Sequence, residues 1–182
     1  SERCIRDRRS CYTDMACGPK YFTYINQELP TLCRRFFGIQ PVPERTYIMG
    51  LSMGGYGAMK CAFTAPQQYA GCAGFSSVAE IQAELPQLCR WHEDQAIFPH
   101  GIVPPQDDLF DLVEKFRDGT CPMPRLFLAC GQQDSLYPAN LRLRDTLQAM
   151  NWPLTWYEAP GDHNWFFWND ALGRAMKELL EN

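Results

Sequence analysis

The chain of 182 residues has no long apolar run. Its longest apolar stretches, such as Leu126 to Cys130, fall far short of the roughly 20 residues that a helix needs to cross a bilayer, and no charged-then-apolar leader precedes residue 10. Basic clusters are missing as well. The 17 Lys and Arg against 21 Asp and Glu give a net charge of -4 without a basic helix face, so neither nucleic acid nor an anionic membrane is expected as a partner. The 9 cysteines are an odd number and contain no Cys-x-x-Cys, which argues against a zinc site or a disulfide framework. Mostly buried free thiols in a reducing cytoplasm are the expectation. Histidine is scarce, at 3 residues, and no repeat, linker or low-complexity segment occurs. With 46% apolar and 21% charged residues, the composition is that of an ordinary globular domain.

What the chain does have is an alternation of helical and strand-like signals from Tyr21 onward, which points to an α/β fold. The segment "YFTYINQELPTLCRRFF" spaces Tyr21, Tyr24, Ile25, Leu29, Leu32 and Phe36 as one helical face, and it predicts an amphipathic helix bent near Pro30. Strands are predicted at 45–50, 71–76, 125–131 and 154–161. Helices are predicted at 53–65, at 141–150 and from Trp165 onward, where Trp168, Leu172, Met176 and Leu179 continue one apolar side. Between Ser77 and Thr120 the pattern turns irregular, with helical pieces at 79–88 and 106–116 around "FPHGIVPP". This stretch reads as a cap-like insertion in a single domain covering 1–182.

Chemistry enters at "YIMGLSMGGYGAMK", where Gly50-Leu51-Ser52-Met53-Gly54 matches Gly-x-Ser-x-Gly between a predicted strand and a predicted helix. In that context the serine sits on a strained turn that lifts its hydroxyl from a sheet edge, and the flanking glycines remove the collisions that side chains would cause. The helix start that follows offers free N–H groups and a positive dipole end to an oxyanion. The alternative is a glycine-rich helix start in which Ser52 merely caps.

A serine nucleophile needs a base, and the base needs an orienting acid. His92 and His100 fall in the irregular stretch and read as loop residues, whereas His163 directly follows the last predicted strand in "APGDHNWF". Asp134, in "LFLACGQQDSL", follows the third strand and belongs to the same sheet edge. Asp162 is its rival but adjoins His163 too closely in the chain to reach the ring, and Asp107, Asp108 and Asp111 read as helix N-terminus acids. The order Ser52, Asp134, His163 is that expected of an α/β-hydrolase, with Met53 N–H as one oxyanion donor.

Together "GLSMGGYGAMK", "LACGQQDSLY", "PGDHNWFFWN" and "SCYTDMACGPKYFTYINQELP" resemble the esterase D-like family of α/β-hydrolases, which includes tributyrin, acetyl and feruloyl esterases, S-formylglutathione hydrolase and the mycolyltransferases. The resemblance implies the same three residues, no cofactor and no metal. Leu51 before the serine and Tyr56-Gly57 after it bring the chain nearer to the tributyrin and acetyl esterase branch. In that family several strands and a loop donating a second oxyanion N–H precede the "YTDM" region, and here only "SERCIRDRRS" does. The resemblance therefore implies that N-terminal strands are missing, and it predicts an open edge at the strand near 46–50, with instability, self-association into a homo-oligomer, or an origin as a fragment of a longer gene product.

By the same resemblance Tyr12 and Asp14 border a substrate pocket, although a Tyr-Thr-Asp turn accounts for them equally well. The aromatic cluster Trp165, Phe166, Phe167 and Trp168 reads as acyl- or aryl-pocket lining or as a core-facing helix start, with core the expected use for most of it. Lys60 and Cys61 read as structural or solvated. The expectation is a cytoplasmic serine carboxylesterase for small short-chain esters. A formylglutathione-type thioesterase and a catalytically impaired hydrolase-like fragment remain as alternatives.

Overall fold

A computed structural model describes residues 10–40, 42–89 and 93–181; Cys4 and His92 lie outside the described residues. The chain forms two compact units, one of Ser1–Gln40 with Ile81–Pro104 and the other of Pro41–Glu80 with Pro105–Asn182. The irregular stretch at 77–120 is thus divided, since Ile81–Pro104 joins the N-terminal residues and the remainder joins the second unit.

The second unit is built on β1 (Tyr47–Leu51), β2 (Gly71–Phe75), β3 (Arg125–Gly131) and β4 (Leu154–Ala159), all parallel and in the order β1-β2-β3-β4. Burial follows that order. β2 and β3 are buried almost throughout, as their unbroken apolar runs require, while β1 and β4 are half-buried. Among the described residues β1 pairs only with β2, so its outer ladder is an open edge.

Both faces of the sheet are covered. Ala73, Phe75, Phe127 and Ala129 pack against Phe167, Trp168, Ala171, Ala175 and Leu179 of the C-terminal helix, in which apolar residues recur every three or four positions. On the opposite face lies the helix Met53–Thr64, which is apolar but for Lys60 and its last residue, Thr64, and is buried from Gly55 to Phe63. The strand end and the helix start come close because both carry glycine: a Cβ at Gly50 would run into Gly54 O and Gly55 N, and one at Gly55 would lie 3.2 Å from Gly50 O. Phe63, Phe116 and Trp152 pack together at the end of this helix, and the Trp152 indole N–H donates to Pro124 O at 2.8 Å.

In chain order we number the helices α1 (Tyr21–Thr23, π-helical Tyr24–Glu28 and Leu29–Phe37), α2 (Met53–Thr64), α3 (Ile81–Leu88), α4 (Glu93–Ile97), α5 (Leu109–Glu114), α6 (Tyr137–Ala149) and α7 (Trp165–Leu180). In the first unit, Ala16 and Cys17 donate their backbone N–H groups to Ile97 O and Ala96 O of α4, at 3.1 and 2.9 Å. Just before Pro30 the helix runs through a π-helical segment, Tyr24–Glu28, and Pro30 itself sits in the first turn of the following segment. Helix α6 begins four residues before the predicted 141, because Pro138 lies in the first turn, where a missing N–H costs no bond.

Candidate active site

Ser52 joins β1 to α2 in a left-handed conformation, φ 54° and ψ -121°. A non-glycine residue holds such a backbone only where its neighbours enforce it. Here its N–H donates to Phe75 O (2.8 Å), and its carbonyl accepts from Gly55 N (3.0 Å) and Val78 N (3.2 Å), so the end of β2 grips the turn from both sides. Gly50 is required because a Cβ there would collide with the Gly54 carbonyl. The hydroxyl makes no cap bond to α2. The capping alternative is therefore not what this side chain does.

The hydroxyl lies 2.9 Å from His163 Nε2, and His163 Nδ1 lies 2.8 Å from Asp134 Oδ2. Asp134 is fully buried at its side chain, while the imidazole keeps 32% of its surface open. The second carboxylate oxygen, Oδ1, accepts from Leu136 N at 2.9 Å. A carboxylate has no proton to give, so the Nδ1 atom carries the hydrogen, and Nε2 is left as the acceptor facing Ser52. All three residues belong to the second unit. Asp162, the rival acid, turns its carboxylate to the backbone N–H of His163 at 2.7 Å rather than to the ring.

The loops carrying Asp134 and His163 are fastened to each other by a residue that the sequence reading passed over. Gln133 donates its backbone N–H to Gly161 O (2.9 Å), and its side-chain Oε1 accepts from Gly161 N (2.6 Å). Gly131 permits this approach, since a Cβ there would strike the Gly161 carbonyl. Nothing in residue type or spacing marks Gln133, whose partner is 28 residues away. Asn164 was legible in principle: it caps α7, its Oδ1 accepting from Phe166 N at 3.0 Å, and an Asn before an apolar helical run is the usual signal.

Met53 opens α2, where first-turn N–H groups have no acceptor within the helix. Trp165 is 66% exposed and Phe166 93% exposed, whereas Phe167 and Trp168 face the core. Tyr12 and Asp14 belong to the first unit. The Asp14 carboxylate accepts from the backbone N–H (2.9 Å) and hydroxyl (2.6 Å) of Thr23, and so serves the start of α1. His100 is an exposed loop residue in a left-handed conformation, φ 60°.

Of the two readings of Lys60 the structural one holds: it is 2% exposed and forms a buried ion pair with Asp107, whose backbone carbonyl also accepts from Tyr56 OH at 2.6 Å. One expectation needs correction. Asp107 accordingly does not serve a helix N-terminus. Asp108 does, its Oδ1 accepting from Phe110 N at 2.8 Å. A charge that α2 carries into its buried face needs an opposite one, and Asp107 is the carboxylate that meets it. Beside it, burial pushes the Cys61 thiol up to about 11. Among the described residues no group of three or more His, Cys, Asp or Glu side chains is arranged to hold a metal ion, and no helix is long and apolar enough to cross a membrane.

Several known proteins are similar to this chain. The chain is 28% identical over 178 residues to an acetyl esterase of Caldicellulosiruptor saccharolyticus, covering 92% of this chain and 67% of that protein. A shorter match, 35% identical over 72 residues, links it to S-formylglutathione hydrolase of Bos taurus and covers 40% of this chain and 23% of that protein. Among solved structures, a fluorophosphonate-binding serine hydrolase of Staphylococcus aureus superposes with a TM-score of 0.83 at 31% identity, over 95% of this chain and 68% of that one. The model of the esterase family, described as "Putative esterase", matches residues 3–116. With that match over more than half its length, and with a parallel sheet flanked by helices on both faces, the chain belongs to this esterase family and has the α/β-hydrolase fold.

Proposed function

We propose that this chain is a serine carboxylesterase that hydrolyses small short-chain esters through an acyl-serine intermediate, with Ser52 as nucleophile, His163 as general base and acid, and Asp134 as the orienting carboxylate. The observation that carries the reading is the continuous row from Ser52 Oγ through the imidazole to Asp134, with links of 2.9 and 2.8 Å. Oγ attacks the ester carbonyl while Nε2 takes its proton, and the imidazolium then delivers that proton to the departing alkoxide. Asp134 holds the required tautomer and stabilises the positive ring. The Met53 N–H, at the positive end of α2, donates to the oxyanion.

Acetyl and butyryl esters, tributyrin included, are the preferred class in this reading, supported by the acetyl esterase similarity over most of the chain. Trp165, exposed next to the His163 loop, supplies apolar surface for the acyl or alcohol group. We read the two units as one esterase domain in which Ile81–Pro104 is a cap-like insertion, because the family match at 3–116 runs through both. A cytoplasmic setting is supported by the buried thiols Cys61, Cys72 and Cys130.

The test is hydrolysis of p-nitrophenyl acetate by the chain and by Ser52→Ala. Equal rates from the two would refute the assignment. The match to S-formylglutathione hydrolase favours a thioester as the second reading. A kcat/KM for S-formylglutathione well above that for p-nitrophenyl acetate would select it.

A further inference from the structure

The proposed base has two hydrogen bonds while Ser52 is free, and only one of them outlasts acylation. Once Oγ carries an acyl group it has no proton to offer Nε2, and the imidazole remains tied through Nδ1 to Asp134 alone. A ring pinned at one atom can pivot. Deacylation nevertheless needs Nε2 held over the acyl carbon, because misplacement by about 1 Å costs up to 10²-fold in rate.

A third support is present. The Trp168 indole meets the imidazole edge-to-face, with centroids 4.9 Å apart and planes at 86°. Trp165 backs the indole at 5.5 Å, and Trp168 is only 8% exposed. Its Nε1–H donates to Ser76 Oγ at 3.1 Å. Ser76 is fully buried, adopts a left-handed φ of 46° and anchors its own N–H on Ala129 O at 2.7 Å. It directly follows Phe75, whose carbonyl holds the Ser52 N–H. A chain of contacts thus runs from the Ser52 backbone through Phe75, Ser76 and Trp168 to the His163 ring without passing through Oγ. Packing alone would be met by phenylalanine or leucine; an indole needs a buried acceptor in addition, and a serine in an unfavourable backbone conformation provides it.

We infer that Trp168, fixed by Ser76, is a positioning residue for deacylation, holding the His163 ring in place after the Ser52 hydrogen bond has gone. The inference rests on the esterase reading above. In the step it serves, a water oxygen attacks the acyl carbonyl as its proton passes to Nε2. The carbonyl–Oγ bond then breaks as that proton moves to Oγ, which releases the carboxylic acid and restores the hydroxyl.

The experiment compares the unmodified chain with Ser76→Ala and Trp168→Phe. Acylation is followed in single turnovers of p-nitrophenyl acetate with enzyme in excess, and deacylation by intact-mass spectrometry of acetyl-enzyme freed from ester. Both variants should acylate within about threefold of the unmodified rate and deacylate on the order of tenfold more slowly. Ser76→Ala removes one oxygen and carries the test alone if Trp168→Phe melts below the assay temperature. Equal slowing of both steps, or deacylation unchanged while the unmodified chain turns over, overturns the inference only. An unmodified chain without Ser52-dependent acylation overturns the esterase reading, and this inference with it.

Discussion

Replacing Asp134 by asparagine changes one oxygen for an NH₂ group at a fully buried position, and the surroundings dictate how the amide must sit. One carboxylate oxygen faces Leu136 N–H at 2.9 Å and the other faces His163 Nδ1 at 2.8 Å. If the amide NH₂ turned toward Leu136, two donors would oppose each other in a buried site, at a cost of about 1–3 kcal/mol. The amide therefore directs its oxygen to Leu136 and its NH₂ to the ring. Nδ1 must then accept, the ring proton moves to Nε2, and Nε2 faces Ser52 as a donor that cannot take the hydroxyl proton. The fold survives while the base is in the wrong tautomer. A loss of about 10³- to 10⁴-fold in kcat is expected, roughly 4–5.5 kcal/mol of transition-state stabilisation. The assay is p-nitrophenyl acetate hydrolysis at neutral pH, with circular dichroism melting to check folding. An Asp134→Asn chain that melts normally and keeps its kcat within tenfold would refute the reasoning.

Ser52→Gly should abolish turnover yet raise stability by about 1 kcal/mol in urea unfolding, because glycine relieves the strain at φ 54°; a lowered midpoint would contradict this. Lys60→Met removes the cation of the buried ion pair with Asp107 and should cost about 3–5 kcal/mol. The double variant with Asp107→Leu should regain much of that loss, and additive losses in the double variant would show the pair is not coupled. Gln133→Leu removes the Oε1 acceptor of Gly161 at an exposed position, so the melting temperature should hold while kcat falls several-fold and KM does not. Stability should decline above about pH 9. Burial raises the folded-state pKa of Cys61 to about 11 and of Cys130 to about 12, and also raises that of Cys72, so these thiols stay protonated in the fold while those of the unfolded chain ionise near 9. Each contributes a loss of about 1 kcal/mol by pH 10, and Cys72→Ala should flatten the fall in urea midpoint.

The sequence by itself determined which segments become strands and helices in the sheet unit and which serine stands between β1 and α2. These depend on neighbours in the chain: an apolar run, a glycine pair, a helical repeat. The 125–131 strand is observed with the predicted bounds, and the C-terminal helix starts at Trp165 as its periodicity requires. Only the tertiary structure decided what Lys60 and Asp107 do, that Asp14 serves Thr23, and that Gln133 fastens the two loops. Such contacts depend on distance between residues far apart in the chain, and a lysine reads the same in sequence whether it meets water or a carboxylate. The Ser52, His163 and Asp134 side chains stand between the two cases. Their residue types and order were legible, but their meeting within hydrogen-bond reach required β1, β3 and β4 to align in one parallel register, which no local pattern encodes.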